Sequence, residues 1–391
     1  MKQQMKIAGI IGMAGIWLLS GCAGMQPWTD ESATSEHLST DIAFESETEG
    51  ASKTTQTSAT ECETEEFEIT MNFVGDLLLA TNEGQEYANS FHEVAEREAP
   101  EYFLANVRDR FQNDTITVGD CENVFSDNMS LGISDKGQLQ AEEEYAAAVS
   151  SAEAAGEPIP EYSFRAYWFR SPARYAEILH TGGIDIVSID NNHIRDYGTQ
   201  GYEDTKAALD AAGVSWGEHG TVVYREIDGF RIAFVFGSMY GESAVSLLLS
   251  DLETAKENSD YQVIYFHGGT EGIHTPEDWK IRACHRLVGD HPHVLQPMES
   301  YQGVTILYSL GNFVFGGNRH PENRTIIYNQ TLTLEKNKKT GEVTLINVSE
   351  TVIPCYVFVG DMNNWQPAVI TDAEEKQQVL DFMNKTASTP Y

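Results

Sequence analysis

Carboxylates, a carboxamide and imidazoles recur in this chain directly after short apolar runs. Asp76 follows Phe73-Val74-Gly75, Asp120 and Glu122 follow a run that opens at Thr115, and Asn192-His193 follow residues 184–191. His267 ends the run 261–266, and His291 and His293 flank Pro292. These are the C-terminal ends of expected strands, where loops of an α/β sheet converge on one crevice. Oxygen and imidazole donors together form a hard-to-borderline ligand set suited to Mn, Fe or Zn. Two such ions bridged by a carboxylate clamp a phosphoryl oxygen and activate a water. A spacing of two in extended chain puts the rings of His291 and His293 on one side. Taken singly, Gly75-Asp76 also reads as a turn, Asn191-Asn192-His193 as a helix cap, and His267 as a core histidine. Their coincidence at successive strand ends favours one clustered site for divalent ions.

The elements that must position these residues alternate early in the chain. An apolar strand over 67–74 leads to a helical stretch through Phe103 and Phe111, then to a strand over 115–118. Ser171-Pro172 opens a helix that Gly182-Gly183 closes. A strand over 184–189 and a helix over 202–212 follow. Asp228-Gly229 is a two-residue turn signal between strands 221–227 and 230–237. A helix over 243–256 feeds strand 261–266, and another runs from Pro276 to Val288. A strand over 304–308 and a hairpin over 330–349 end the pattern, which predicts a mixed α/β domain with helices outside its sheets. Residues 128–160 are rich in Ala and Glu and hold an expected helix over 138–155, which reads as a solvated surface helix or, alternatively, as part of an insertion or lid.

Of 391 residues, 25 are Lys or Arg and 60 are Asp or Glu, a net charge of −35. Such a balance excludes sequence-independent nucleic-acid binding, which needs clustered cations. The five cysteines contain no CxxC pair, which excludes a zinc ribbon. Lys2 and Lys6 precede an apolar run over 7–19 that ends in Leu19-Ser20-Gly21-Cys22. This reads as a secretory signal over 1–21 with a lipobox, so that a lipidated Cys22 anchors the chain to the outer face of the membrane. Residues 22–66 are an acidic Ser/Thr-rich tether without apolar runs. The folded domain is expected over 67–360, with 361–391 as a C-terminal tail.

Phe73-Val74-Gly75-Asp76, the run Asn191 to Gly198 (Asn-Asn-His-x-x-Asp-Tyr-Gly), His267-Gly268-Gly269-Thr270-Glu271, Gly289-Asp290-His291-Pro292-His293-Val294 and Tyr308-Ser309-Leu310-Gly311-Asn312-Phe313 stand in order. Together they resemble the bacterial CapA family, linked to poly-γ-glutamate capsule synthesis and similar to the calcineurin-like metallophosphoesterases. The resemblance implies a four-layer αββα sandwich with a two-metal centre. Asp76 and His293 would hold the first ion, Glu122 would bridge with Asp120 as its competitor, and Asn192, His267 and His291 would hold the second. His193 would be the general acid or phosphate contact, oriented by Asp196, with Glu271 behind the ligands. Implied partners are poly-γ-glutamate or a similar anionic polymer and membrane capsule-synthesis proteins. Two departures stand out. Leu78 occupies the position where the phosphoesterases carry a further His ligand. The segment before Gly289 is too short for both the helix end and the strand that usually precede His-Pro-His. The first reading of function is therefore a lipid-anchored capsule protein. A secreted metal-dependent phosphoesterase and a non-catalytic binding module are the alternatives.

Overall fold

The computed structural model describes residues 63–85, 87–132, 149, 167–241, 244–284, 292–302 and 304–391. In chain order the strands are β1 (Thr64–Leu77), β2 (Ile116–Cys121), β3 (Val124–Phe125), β4 (Arg170–Ser171), β5 (Ile186–Ser188), β6 (Ser215–Gly217), β7 (Val223–Ile227), β8 (Phe230–Ser238), β9 (Tyr261–His267), β10 (Leu295–Tyr301), β11 (Val304–Leu310), β12 (Asn312–Val314), β13 (Arg324–Asn337), β14 (Val343–Tyr356) and β15 (Ala368–Val369). One sheet runs β15-β14-β13-β1-β2-β5-β6, with β12 against β1. Strands β7-β8-β9 and the pair β10-β11 face it.

Three buried cores separate four layers. Alternation along β8 shows how one strand serves two of them, because successive side chains point to opposite faces. Phe230, Ile232, Phe234 and Phe236 meet Ile69, Met71, Phe73, Ile116 and Ile186 of the first sheet. Ala233 and Val235 face the other way, onto Val245, Leu248 and Ala255 of helix Val245–Glu257. On the far side of the first sheet, Val74, Leu77 and Val187 pack under Leu179 of helix Ala176–Gly182 and Leu209 of helix Gly198–Ala212. The layer order is αββα, as the metallophosphoesterase-like resemblance implied. The Asp228-Gly229 turn joins β7 to β8 with both residues at positive φ, 51° and 91°, the geometry such a two-residue hairpin loop needs.

The boundaries differ from expectation at both ends. Strand β1 opens at Thr64, inside the stretch read as tether, because β13 supplies a partner for every residue from Thr64 to Phe73. The tail read over 361–391 is part of the fold. It contains β15 and the helix Ala373–Met383, which Asp372 caps by accepting from the Glu374 and Glu375 amides. Val379, Phe382 and Met383 lie one helical turn apart and enter the inter-sheet core. Strand β10 and the helix Phe91–Arg97 were not anticipated. The signal segment, Cys22, Cys62, the helix expected over 138–155 apart from residue 149, and the shortened segment at 285–291 lie outside the described residues. Cys121, Cys284 and Cys355 are free and buried.

Candidate metal centre

A β-bulge aims the first carboxylate. Along β1, Phe73 faces the inter-sheet core, and a regular pleat would turn Asp76, three residues on, to the opposite face. The ladder to β2 shifts register between Phe73 and Asp76, so that Phe73 pairs with Val118 and Asp76 with Asp120. The extra residue brings Asp76 round to the side of Asp120. Asp120 in turn pairs with Ser188, and Asp76 with Asn312 of β12. The other layer contributes His267, paired with Ser238 at the ends of β8 and β9. The next residue must be glycine. A Cβ on Gly268 would sit 1.8 Å from the Met239 carbonyl oxygen, while the Met239 amide donates to the His267 carbonyl at 2.7 Å. His293 adopts φ 56°, a left-handed conformation uncommon outside glycine and frequent at functional sites.

Asp76, Asp120, Glu122 and His267 are fully buried. His267 Nδ1 lies 3.5 Å from Asp76 Oδ1 and 3.4 Å from Asp120 Oδ2, with Nε2 3.7 Å from Glu122 Oε1. His293 Nδ1 lies 3.0 Å from Asp76 Oδ2 and 2.9 Å from Asn312 Oδ1, and its Nε2 is 3.6 Å from Glu122 Oε1. Asp76 and Glu122 thus each face both imidazoles. The groups Asp76–Asp120–His267 and Asp76–Glu122–His293 each bring one ligand atom per residue within 4.8 Å of one another. Asp76, rather than Glu122 alone, is common to both. Asn192 Oδ1 lies 2.9 Å from His267 Nε2 and accepts from the Tyr240 hydroxyl at 3.3 Å. His193 Nε2 is 4.0 Å from Glu122 Oε1, and its Nδ1 is 2.9 Å from Asp196 Oδ2. Glu271 stands at the mouth, lining a cleft with His193 and His293. His291 lies outside the described residues.

The electrostatics are those of a cation site. Burial pushes the Glu122 carboxyl up to about 7, and burial likewise raises Asp120. Burial also opposes charge on Asp76, yet hydrogen bonds from His267 and His293 hold it well below the carboxylate range. For His293 burial disfavours the cation, but Glu122 and Asp76 overcome it and lift its pKa to about 10. One oxygen each of Asp76 and Asp120, and both of Glu122, are buried without a hydrogen-bond partner. Buried ionised oxygens are costly unless paired or bound to metal. The donor set therefore fits divalent ions, which would take the place of protons on the two imidazoles.

Leu78 stands in an apolar wall with Ala80, Phe169 and Phe315. Phe169 meets the His193 ring edge-on at 4.7 Å, and Phe315 lies 5.0 Å from the His293 ring. The position that could have carried another ligand is instead part of the apolar wall whose Phe169 and Phe315 flank the imidazoles. Sequence reasoning gave no role to Asn312 or Tyr240. Asn312 was visible within Leu310-Gly311-Asn312-Phe313, but only the register of β12 against β1 discloses its use. Tyr240 had no signal, because it reaches the site from a loop after β8.

The family model described as bacterial capsule synthesis protein PGA_cap matches residues 150–317. The "PGA biosynthesis protein CapA" of Bacillus subtilis is 30% identical over 208 residues, 44% of this chain and 53% of that protein. The "Capsule biosynthesis protein CapA" of Bacillus anthracis is 26% identical over 283 residues, 63% of this chain and 60% of that protein. The chain thus spans between half and two thirds of these relatives. Among solved structures, the calcineurin-like phosphoesterase YfkN from Bacillus subtilis overlaps 74% of this chain and 91% of its own, at a TM-score of 0.38 and 13% identity. A hypothetical protein from Thermus thermophilus overlaps 73% and 99%, at 0.37 and 14%. Those overlaps are partial, and the αββα order stands on the packing of the three cores. By its family match over residues 150–317 and its two curated relatives, the chain is similar to the bacterial CapA capsule synthesis proteins.

Proposed function

We propose that this protein serves the synthesis, export or attachment of capsular poly-γ-glutamate at the outer face of the membrane, through a divalent-metal centre. The observation that carries the metal reading is the set of three fully buried carboxylates, with oxygens lacking partners, around His267 and His293. Asp76, Asp120 and His267 would hold one ion, and Asp76, Glu122 and His293 another, with Asn192 and Asn312 beside them. Bound there, such ions supply Lewis-acid polarisation of a phosphoryl or carbonyl oxygen. The chain's own residues divide the remaining work. The Asp196 carboxylate fixes Nδ1 of His193, so that Nε2 faces the site. Burial lowers the proton affinity of His193, but the Asp196 hydrogen bond and the charges of Asp196 and Glu122 reverse this and raise its pKa. His193 is therefore placed to keep a proton near neutrality and to deliver it from Nε2 to a leaving oxygen or nitrogen. Phe169, Phe315 and Leu78 exclude water from one flank.

Anchoring through a lipidated Cys22 fits the lipobox and the position of a family concerned with an extracellular polymer. Inhibition of lipoprotein signal processing should leave a heavier precursor, and an unchanged mass would defeat the anchor. For the centre, metal content is compared between the full-length protein and a His267→Ala/His293→Ala variant. A wild type holding no divalent ion above the variant ends the metal reading. A phosphoesterase screen on the same samples separates capsule chemistry from general phosphate ester hydrolysis.

A further inference from the structure

Asn312 belongs to neither ligand group, yet it shares the tightest corner of the centre. His293 Nδ1 lies 3.0 Å from Asp76 Oδ2 and 2.9 Å from Asn312 Oδ1. A ring nitrogen carries at most one proton, which two oxygens here divide. An ion in the proton's place can bind all three atoms at once. The spacing suits it, because two ligands about 2.0–2.2 Å from one ion and roughly at right angles stand about 3 Å apart.

The fold holds the carboxamide to that corner. Strand β12 runs parallel to β1, with Asn312 in register with Asp76, so both side chains leave the same face of the sheet. Asn312 is buried, and its Nδ2 donates to Asn318 Oδ1 at 3.0 Å. That bond fixes which end of the amide faces the imidazole: the carbonyl oxygen, an acceptor only. The ladder shifts directly after Asp76, pairing Leu77 with Val314, and Leu78 lies in the wall with Phe169 and Phe315. An apolar side chain at 78 offers an ion nothing, whereas β12 brings an oxygen to the same corner.

We infer that Asn312 is a direct ligand of the ion at Asp76, Glu122 and His293, supplying the donor that Leu78 cannot. The inference rests on the metal reading above and fixes the character of that ion's site. Oxygens of Asp76, Glu122 and Asn312 then outnumber the imidazole of His293. Carboxylate and carbonyl oxygens suit Mn rather than softer ions, so this ion is bound as a hard cation.

The test uses the full-length protein in detergent, stripped with chelator and titrated with Mn by calorimetry. Ions per chain are counted after gel filtration, and electron paramagnetic resonance distinguishes a spin-coupled Mn pair from an isolated Mn. The wild type should bind two ions and show the coupled pair. Asn312→Ala should keep one and show the isolated signal. Its affinity for the other should fall more than about a hundredfold, beyond the ~10–100-fold of a group that only orients a ligand. Asn312→Asp, which keeps the shape and the oxygen, should hold both ions. Adding Leu78→His to Asn312→Ala should restore the second ion, since an imidazole there replaces a ligand but cannot orient His293. A smaller loss in Asn312→Ala, with the coupled pair kept, overturns the inference, and so does loss of an ion in Asn312→Asp. A loss left unrepaired by Leu78→His, in a protein that still unfolds cooperatively in urea, overturns it equally. A wild type that binds fewer than two ions defeats the two-ion centre instead, whereas two ions in wild type and Asn312→Ala alike defeat the ligand assignment alone.

Discussion

Glu122→Gln tests the electrostatic argument most sharply, because its effect should change sign with metal. Glu122 is fully buried and its pKa is raised from 4.5 to about 7, chiefly by burial. At about 1.4 kcal/mol per unit, that shift is worth about 3 kcal/mol. The folded pKa lies above the unfolded one, so in metal-free protein the fold holds the extra proton between these values. The contribution of Glu122 to stability is therefore fully present below about 4.5, falls as pH rises and is lost above about 7. Glutamine keeps the shape and cannot ionise. In chelator at pH 8 the variant should be more stable than wild type by up to about 3 kcal/mol, and at pH 4 the two should coincide. Added Mn or Zn reverses the order. Wild type gains about 2.7 kcal/mol at a hundredfold excess over its dissociation constant, whereas the variant has lost a ligand. Urea unfolding followed by tryptophan fluorescence reads both arms. A variant less stable than wild type in chelator at pH 8, or a difference that keeps its sign when metal is added, refutes the reasoning.

Metal uptake near pH 7 should release about two protons, one from each imidazole, measurable by calorimetry in buffers of different ionisation enthalpy and absent in His267→Ala/His293→Ala. Burial raises Asp114 to about 7 despite hydrogen bonds from Thr117 and Asn72. Asp114→Asn should therefore stabilise the fold at pH 8 by about 2 kcal/mol, discounted for partial exposure, with no gain at pH 4; equal gains at both would show the charge is irrelevant. Phe236 is fully buried, and a Cβ on Gly217 would lie 2.0 Å from its ring. Phe236→Ala should cost about 3–5 kcal/mol, and Gly217→Ala should lower the same denaturation midpoint unless Phe236 is made smaller.

Local patterns made much of the fold legible. The apolar run 230–237 announced a strand, and Asp228-Gly229 announced its turn. Strand β10 was hidden because Pro297 and Glu299 interrupt its pattern, and its pairing with β11 decides it. The C-terminal helix read as tail because Glu, Lys and Gln dominate it; its three apolar residues matter only against a core built far upstream. At the site, strand ends pointed to Asp76, Glu122, Asn192, His193 and His267. The sequence could not show the bulge at Asp76, since a register shift belongs to two strands at once. Nor could it give Asn312 a partner more than two hundred residues away.

Strand β1 meets every partner at the middle of its sheet: β13 from Thr64 to Phe73, β2 from Met71, and β12 at Asp76. Whatever precedes Thr64 therefore pulls along the axis of a central strand. A tug on that end strains the β1–β13 ladder in shear, with its hydrogen bonds loaded side by side, whereas an edge strand would peel one bond at a time. The same strand ends in Asp76. Mechanical load entering at the N-terminus is thus taken up over ten paired residues before it reaches the carboxylate shared by the two ligand groups.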